Sequence, residues 1–328
     1  MRKIRFIATG GTISCIQSEN GLVPGLSANE ILSYIDIDCS NIDCDDFMRI
    51  DSSNIQPEQW QSLAQELYSR SKEYDALIVT HGTDTMAYTA SMMSYLLCGI
   101  DIPIIFTGSQ HPINELDSDG RINLKNAIIA ANNMESKGVF VCFYDRLIRG
   151  CRASKTHSRS LDAFESINAP LAGRFENDKF VPVDDTIYNK AVIDTRFNIC
   201  SDVALLKLFP GMSEKLIDML PSCGVKAVVV EGFGLGGVHN FKRNHAQSLI
   251  SLINSGIPVV VTTQCFYESA SLDVYEVSRS LKDAGAICAY DMSTEAIVTK
   301  LMWILGQTKD ISSVKALMNT NICGDINI

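Results

Sequence analysis

Short apolar runs recur along this chain and limit its fold more than any other feature. They stand at 4–7 (IRFI), 76–80 (ALIVT), 103–107 (PIIFT), 138–144 (GVFVCFY), 225–231 (VKAVVVE) and 257–263 (IPVVVTT). Runs of this length lack helical period, and between them lie segments with apolar residues at helical spacing. Apolar strands separated by helices fit parallel sheets covered on both faces. The expected class is therefore α/β, with a larger N-terminal parallel-sheet domain and a second, smaller C-terminal α/β domain. The length of 328 residues suits two domains, at about 100–200 residues each. The boundaries read as 1–185 for the N-terminal domain, 186–210 for a connector and 211–328 for the C-terminal domain.

Taken in order, residues 4–9 are the first strand and 15–26 (CIQSENGLVPGL) an exposed loop containing Gly and Pro. A short helix near Ala28–Tyr34 precedes a second strand at 47–51 (FMRID). Pro57 opens a helix with Trp60, Leu63, Ala64 and Leu67 on one face. Further helices follow residue 85 and span 120–134, and 150–164 is a polar segment holding Arg152, Lys155 and His157. Periodicity lapses from about 165 to 205, where FEND and VPVDDT read as hairpin and linker. Beyond Pro210-Gly211, helices are expected near 213–220, 241–254, 273–284 and 294–305, with a short strand at 286–290.

Composition excludes several classes. A net charge of −10 with interspersed acids and bases disfavours nucleic acid and anionic membrane as partners. No apolar run approaches the ~18 residues of a membrane span, and MRKIRFIATGG carries no signal-peptide pattern. The eleven cysteines are odd in number and scattered, without a C-x-x-C, which fits a reducing cytoplasm. Five histidines show no paired-ligand spacing, so no metal site is expected.

The functional signal is a repeated device. Three strands end in turns that carry small polar side chains: Thr9-Gly10-Gly11-Thr12, His81-Gly82-Thr83-Asp84 and Thr107-Gly108-Ser109-Gln110. A fourth, Asp51-Ser52-Ser53, lacks glycine. In a parallel sheet these carboxyl ends share one edge, where ligands bind. The hydroxyls of Thr12, Ser52, Ser53, Thr83 and Ser109 then converge on one crevice, with Asp51, Asp84 and Lys155 as its charges. Each hydroxyl alone also suits a cap or turn, and Thr83 stands where it can cap the next helix. A threonine nucleophile needs a base, which Lys155 supplies directly or through Thr83. Asp84 either balances that lysine or takes a substrate ammonium, and backbone N–H groups in the glycine turns suit an oxyanion. The set fits acyl transfer on a small zwitterion.

A rival motif is Gly232-x-Gly234-x-x-Gly237, the spacing of a dinucleotide-binding turn. That fingerprint needs an acid at the end of the next strand, which here reads Thr262-Thr263-Gln264, so NAD is not expected.

ATGGTIS and THGTDTMAYTA, followed in order by TGSQHP, RASKTHS and DMSTEA, with DSSNIQP between the first two, resemble the bacterial-type L-asparaginases over essentially the whole chain. TTQC and the missing signal peptide resemble the cytoplasmic type I branch. The resemblance implies hydrolysis of L-asparagine, and more weakly L-glutamine, without a cofactor, by a homodimer or homotetramer. It implies Thr12 as nucleophile, and Thr83, Asp84 and Lys155 as its activating set. Asp51, Ser52, Ser53, Thr83, Asp84 and Ser109 would bind substrate. Two positions depart from the family pattern. Leu22 stands about where many members carry a tyrosine beside the nucleophile, and Gly237 stands where periplasmic relatives place an asparagine. Two other readings are an amino-acid sensor with decayed catalysis and the ammonia-supplying subunit of a tRNA-dependent amidotransferase. The latter normally has an extra N-terminal domain, whereas the first strand here starts almost at once.

Overall fold

The apolar runs fold as strands, and their order in the sheet sets the glycine turns side by side. The computed structural model describes residues 1–19, 21–184, 186 and 193–328. Two compact units form, Met1–Phe197 and Asn198–Ile328.

In the first unit, β1 (Ile4–Gly10) leads to β2 (Cys15–Ser18), β3 (Gly21–Pro24), α1 (Ala28–Ser33) and β4 (Ile42–Ile50). Then come α2 (Pro57–Arg70), β5 (Ala76–Thr80), α3 (Met86–Leu96), β6 (Pro103–Thr107), α4 (Gly120–Asn133) and β7 (Gly138–Phe143). The chain continues with β8 (Arg146–Arg149), β9 (Ala153–Lys155), β10 (Phe164–Ser166), β11 (Gly173–Glu176) and β12 (Lys179–Pro182). Eight of these strands make one sheet in the order β12-β11-β8-β7-β6-β5-β1-β4.

The strands from β4 to β7 in that order pair in parallel. Both faces are covered, as the wholly buried ALIVT and PIIFT strands require. Helices α1 and α4 pack on one face around Phe6, Ile78, Ile105 and Phe140. Helix α2 buries Trp60, Leu63, Ala64 and Leu67, the face read from its spacing, and Trp60 Nε1 donates to Thr89 Oγ1 of α3 at 2.9 Å.

The chain leaves β1 for β4 on one side, then crosses back to β5 on the other and continues outward to β6 and β7. The order thus reverses between β1 and β5. Open α/β sheets bind ligands at such a reversal, outside the strands' carboxyl ends.

Several sequence expectations change. Residues 15–26 are not a bare loop but include the antiparallel hairpin of β2 and β3, with Gln17 opposite Leu22. Strand β4 runs nine residues rather than five. Its acids, Asp43, Asp45 and Asp46, hid its first half from an apolar search, and an edge strand tolerates them because one flank stays open. Arg5 pairs with Asp45 at 2.8 Å. Beyond β7 the sheet continues antiparallel through β8, β11 and β12. The turn at Asn177-Asp178 has positive φ at both residues, the geometry that joins two-residue hairpins.

The second unit begins inside the expected connector 186–210. Strand β13 (Val203–Lys207) lies there, and residues 187–192 of that connector fall outside the described residues. It is followed by α5 (Lys215–Asp218), β14 (Ala227–Gly232), α6 (His245–Asn254), β15 (Val259–Thr263), α7 (Glu276–Ala284), β16 (Ile287–Cys288), α8 (Thr294–Gln307) and α9 (Ile311–Met318). The four strands pair in parallel in chain order. Helix α6 starts at His245 rather than 241 because Asn244 caps it, accepting from Gln247 N at 3.0 Å. All eleven cysteines are free thiols, and no described helix is long and apolar enough to cross a membrane.

Candidate active site

The two glycine turns at the reversal touch through their backbones. Gly11 has φ of +79°, and a Cβ there would lie 2.3 Å from Gly82 N. A Cβ on Gly82 would lie 2.5 Å from Ser52 Oγ. Neither place has room for a side chain, so these glycines are required by close approach as well as by conformation. Their contact brings Thr12 and Thr83 to the floor of one cleft of about 310 Å³. Asp84, Asp51 and Ser52 also line it, and Cys15, Leu22, Val23 and Pro24 of the β2–β3 hairpin form a largely apolar wall.

Thr12 opens the short 3-10 turn Thr12–Ser14 after β1 and is partly exposed to the cleft. Among the described residues its hydroxyl makes no hydrogen bond. Thr83 is 5% exposed. Its Oγ1 accepts from Lys155 Nζ at 2.8 Å, and the same ammonium reaches Asp84 Oδ1 at 2.7 Å. Lys155 ends β9, so the antiparallel β9–β10 pair delivers it to the turn after β5. Its side chain is 16% exposed and that of Asp84 65%, so the pair is half in solvent and offers Asp84 Oδ2 to a ligand.

The other expected residues differ in placement. Asp51 lies at the cleft, and its Oδ1 accepts from Ser53 N at 3.0 Å and Ser53 Oγ at 2.9 Å. Ser52 is buried yet lines the cleft, and its carbonyl accepts from Thr85 Oγ1 at 2.8 Å. Ser53 is exposed and does not line it. Ser109 is 1% exposed and donates to His111 O within its own turn, away from the lining.

Two residues without an expected role support the turns. Asp119 is buried and accepts from the backbone N–H of Gln110 and His111 at 3.0 Å, which fixes the turn after β6. His81 is fully buried, and its Nδ1 donates to Gly82 O at 2.7 Å. A trans peptide sets its N–H opposite its carbonyl. The Thr83 N–H therefore faces away from the imidazole, and it has no hydrogen-bond partner among the described residues. Burial pushes His81 down to about 4. Burial, with the nearby Asp51 charge, pushes the Cys15 thiol up, which makes it a poor nucleophile beside Thr12.

His81 yields a pH prediction. Its folded value lies below the ordinary one, so the unfolded chain binds a proton that the folded chain refuses. The stability is complete above pH 6.5 and falls as pH drops toward 4. The loss over that window is about 3 kcal/mol at ~1.4 per unit. Urea midpoints of His81→Gln should fall less steeply with acid than those of the wild type. Parallel slopes would refute the assignment.

No group of three or more His, Cys, Asp or Glu side chains able to hold a metal occurs among the described residues.

Comparison with known proteins covers both units. Residues 3–187 match the family described as Asparaginase, N-terminal, and residues 202–318 match the Glutaminase/Asparaginase C-terminal domain. The chain is 37% identical to an L-asparaginase of Thermococcus kodakarensis over 99% of both chains. The solved structure of the thermostable L-asparaginase from that organism superposes with a TM-score of 0.92 at 36% identity, covering 99% of each chain. L-asparaginase I of Vibrio cholerae gives a TM-score of 0.86 at 29% identity over 100% of both. The chain is also 33% identical to a glutamyl-tRNA(Gln) amidotransferase subunit of Methanosphaera stadtmanae, over 99% of this chain and 77% of that one.

Proposed function

The chain belongs to the asparaginase family, and from that premise we propose that it hydrolyses L-asparagine to L-aspartate and ammonia through a covalent threonine ester. One observation carries the reading. Lys155 Nζ joins Thr83 Oγ1 and Asp84 Oδ1 beside a cleft that also presents a Thr12 hydroxyl with no hydrogen bond among the described residues.

In this reading Thr12 Oγ attacks the side-chain amide carbon of the substrate. Its proton passes to Thr83 and on to Lys155, which needs the neutral amine. The carbonyl electrons move to oxygen, where the N–H groups of Thr12 and Thr83 receive the oxyanion. Collapse restores the carbonyl and breaks the C–N bond, and the departing nitrogen takes the proton and leaves as ammonia. Water then cleaves the ester by the reverse relay, freeing aspartate and the Thr12 hydroxyl. Asp84 and Asp51 hold the substrate ammonium, and Ser52 holds its α-carboxylate. Ser53 supports Asp51 from outside the lining, and Ser109 shapes the turn after β6. The apolar hairpin wall limits the acid's chain length, so L-glutamine is the poorer substrate. We place the reaction in the cytoplasm, consistent with eleven free thiols, and propose a homodimer or homotetramer.

The test is ammonia release from L-asparagine and L-glutamine by the purified protein, with circular dichroism to establish folding. Asparagine should be turned over and glutamine more slowly. A folded protein that releases ammonia from neither ends the proposal. The match to an amidotransferase subunit supports a second reading, ammonia supply to a tRNA-bound acyl group. Turnover that required a partner protein and charged tRNA would favour it.

A further inference from the structure

We propose that Thr85 is a positioning residue that sets the grip of Asp51 and Ser52 on the substrate's α-ammonium and α-carboxylate, an inference that rests on the hydrolysis reading above. Thr85 stands at the N-cap of α3, where a threonine hydroxyl ordinarily accepts from a free N–H of the first turn. Here the side chain makes no such bond. Its Oγ1 instead donates to Ser52 O at 2.8 Å, in the turn after β4. In the sheet order β5-β1-β4 these two turns are separated by the turn of β1, so the bond spans the site from one flank to the other. Thr85 itself does not line the cleft.

The Ser52–Ser53 peptide carries the effect onward. Thr85 holds its carbonyl. A trans peptide sets the N–H on the opposite side, and the Ser53 N–H donates to Asp51 Oδ1 at 3.0 Å. One planar group therefore links Thr85 to the Asp51 carboxylate. The same plane fixes the backbone of Ser52, which is 2% exposed and whose hydroxyl makes no hydrogen bond among the described residues. A nearly buried hydroxyl that lines the cleft with its bonding capacity unused suits a ligand oxygen. Ile55 N also donates to Ser52 O, at 3.1 Å, but it belongs to the same turn and moves with it. Strand β4 lies at the sheet's edge, so its turn has a neighbouring strand on one side only. Thr85 ties that turn to the one carrying Thr83 and Asp84. It thereby sets the span between Asp51 and Ser52 on one side and Thr83 and Asp84 on the other.

The test is steady-state ammonia release from L-asparagine by Thr85→Val, Thr85→Ala and Thr85→Ser beside the wild type. Valine keeps the shape and removes the hydroxyl. The fold should tolerate this, because Ser52 O retains Ile55 N and α3 loses no cap. KM should rise about tenfold in the valine and alanine variants with kcat within about twofold, the pattern of lost substrate binding. Thr85→Ser restores the donor and should recover most of the lost affinity. A double-mutant cycle with Ser52→Ala adds a readout that general loosening of the fold would not move. Thr85→Val should lower kcat/KM by less in that background than in the wild type, because part of its effect passes through Ser52. The proposal fails if valine leaves KM unchanged, if kcat falls instead, if serine gives no recovery, or if the two losses in the cycle simply add. Failure of both the valine and the alanine variant to fold, seen by circular dichroism, would make Thr85 part of the scaffold and also overturn it. An active wild type with an unimpaired valine variant overturns the role of Thr85 alone. A wild type inactive on both amides removes the hydrolysis reading and this inference together.

Discussion

Thr12→Ala should retain its fold and lose at least ~10⁴-fold in kcat for ammonia release, as removal of a covalent nucleophile does. The fold is expected to survive because the Thr12 hydroxyl makes no hydrogen bond among the described residues. Its neighbours are held by backbone contacts, Gly11 N to Ile50 O at 3.1 Å and Ser14 N to Gly11 O at 3.1 Å. Lys155→Met should follow with a loss of about 10³-fold, in the range of a general base. Methionine keeps most of the buried stem while removing the contacts to Thr83 and Asp84. Tandem mass spectrometry of acid-quenched wild type with excess asparagine supplies an independent reading. A mass gain of an aspartyl group on the peptide bearing Thr12, absent in Thr12→Ala, is the expected result. Turnover by either variant within tenfold of the wild type would remove the nucleophile or the base from the mechanism.

The second large effect lies in the C-terminal unit and concerns stability. Lys300 and Asp325 are both wholly buried and pair at 2.5 Å. Lys300 Nζ also donates to Met318 O at 3.0 Å and Thr320 O at 2.7 Å. Asp325 Oδ1 accepts from Ile322 N at 2.8 Å and Cys323 N at 3.2 Å. The lysine therefore ties α8 to the end of α9 and to the chain beyond it. Lys300→Met leaves a buried carboxylate without its cation, at a cost of about 3–5 kcal/mol. Calorimetry should show the unfolding transition of this unit lowered by about 10 °C. Lys282→Met, which breaks the solvent-exposed pair to Asp273, is the control and should leave the transition almost unmoved, since exposed ion pairs add little. Equal shifts in the two variants would show that burial of Lys300 carries no special weight.

What could be read from the sequence follows from what is local. ALIVT and PIIFT are apolar at every position, and such runs have little choice but a doubly covered strand. Helix α2 declared itself by Pro57 and a four-residue stripe. Strand β13 did not, because VALLK is short and ends in a lysine on the sheet's edge. The acids of β4 concealed its first half, so only 47–51 read as strand. Within the site, Thr12, Thr83 and Lys155 were visible as motif residues, but their meeting depends on β9, a three-residue strand with no periodicity to detect. Asp119 and Thr85 act across turns, and the Lys300–Asp325 pair spans separate elements. Such contacts are made by tertiary packing, and spacing along the chain does not encode them.

The abutting turns at Gly11 and Gly82 also bear on how this cleft can change. Its floor is built from peptide groups with no space for a Cβ, so substitution there has almost no neutral route. The hairpin wall is different. Leu22 and Val23 are 49% and 42% exposed and rest on the cleft without being locked in the core. Variation in amide preference, whether by drift or by laboratory selection, should therefore accumulate at Leu22, Val23 and Pro24. The reacting end stays fixed while the opposite side remains free to evolve.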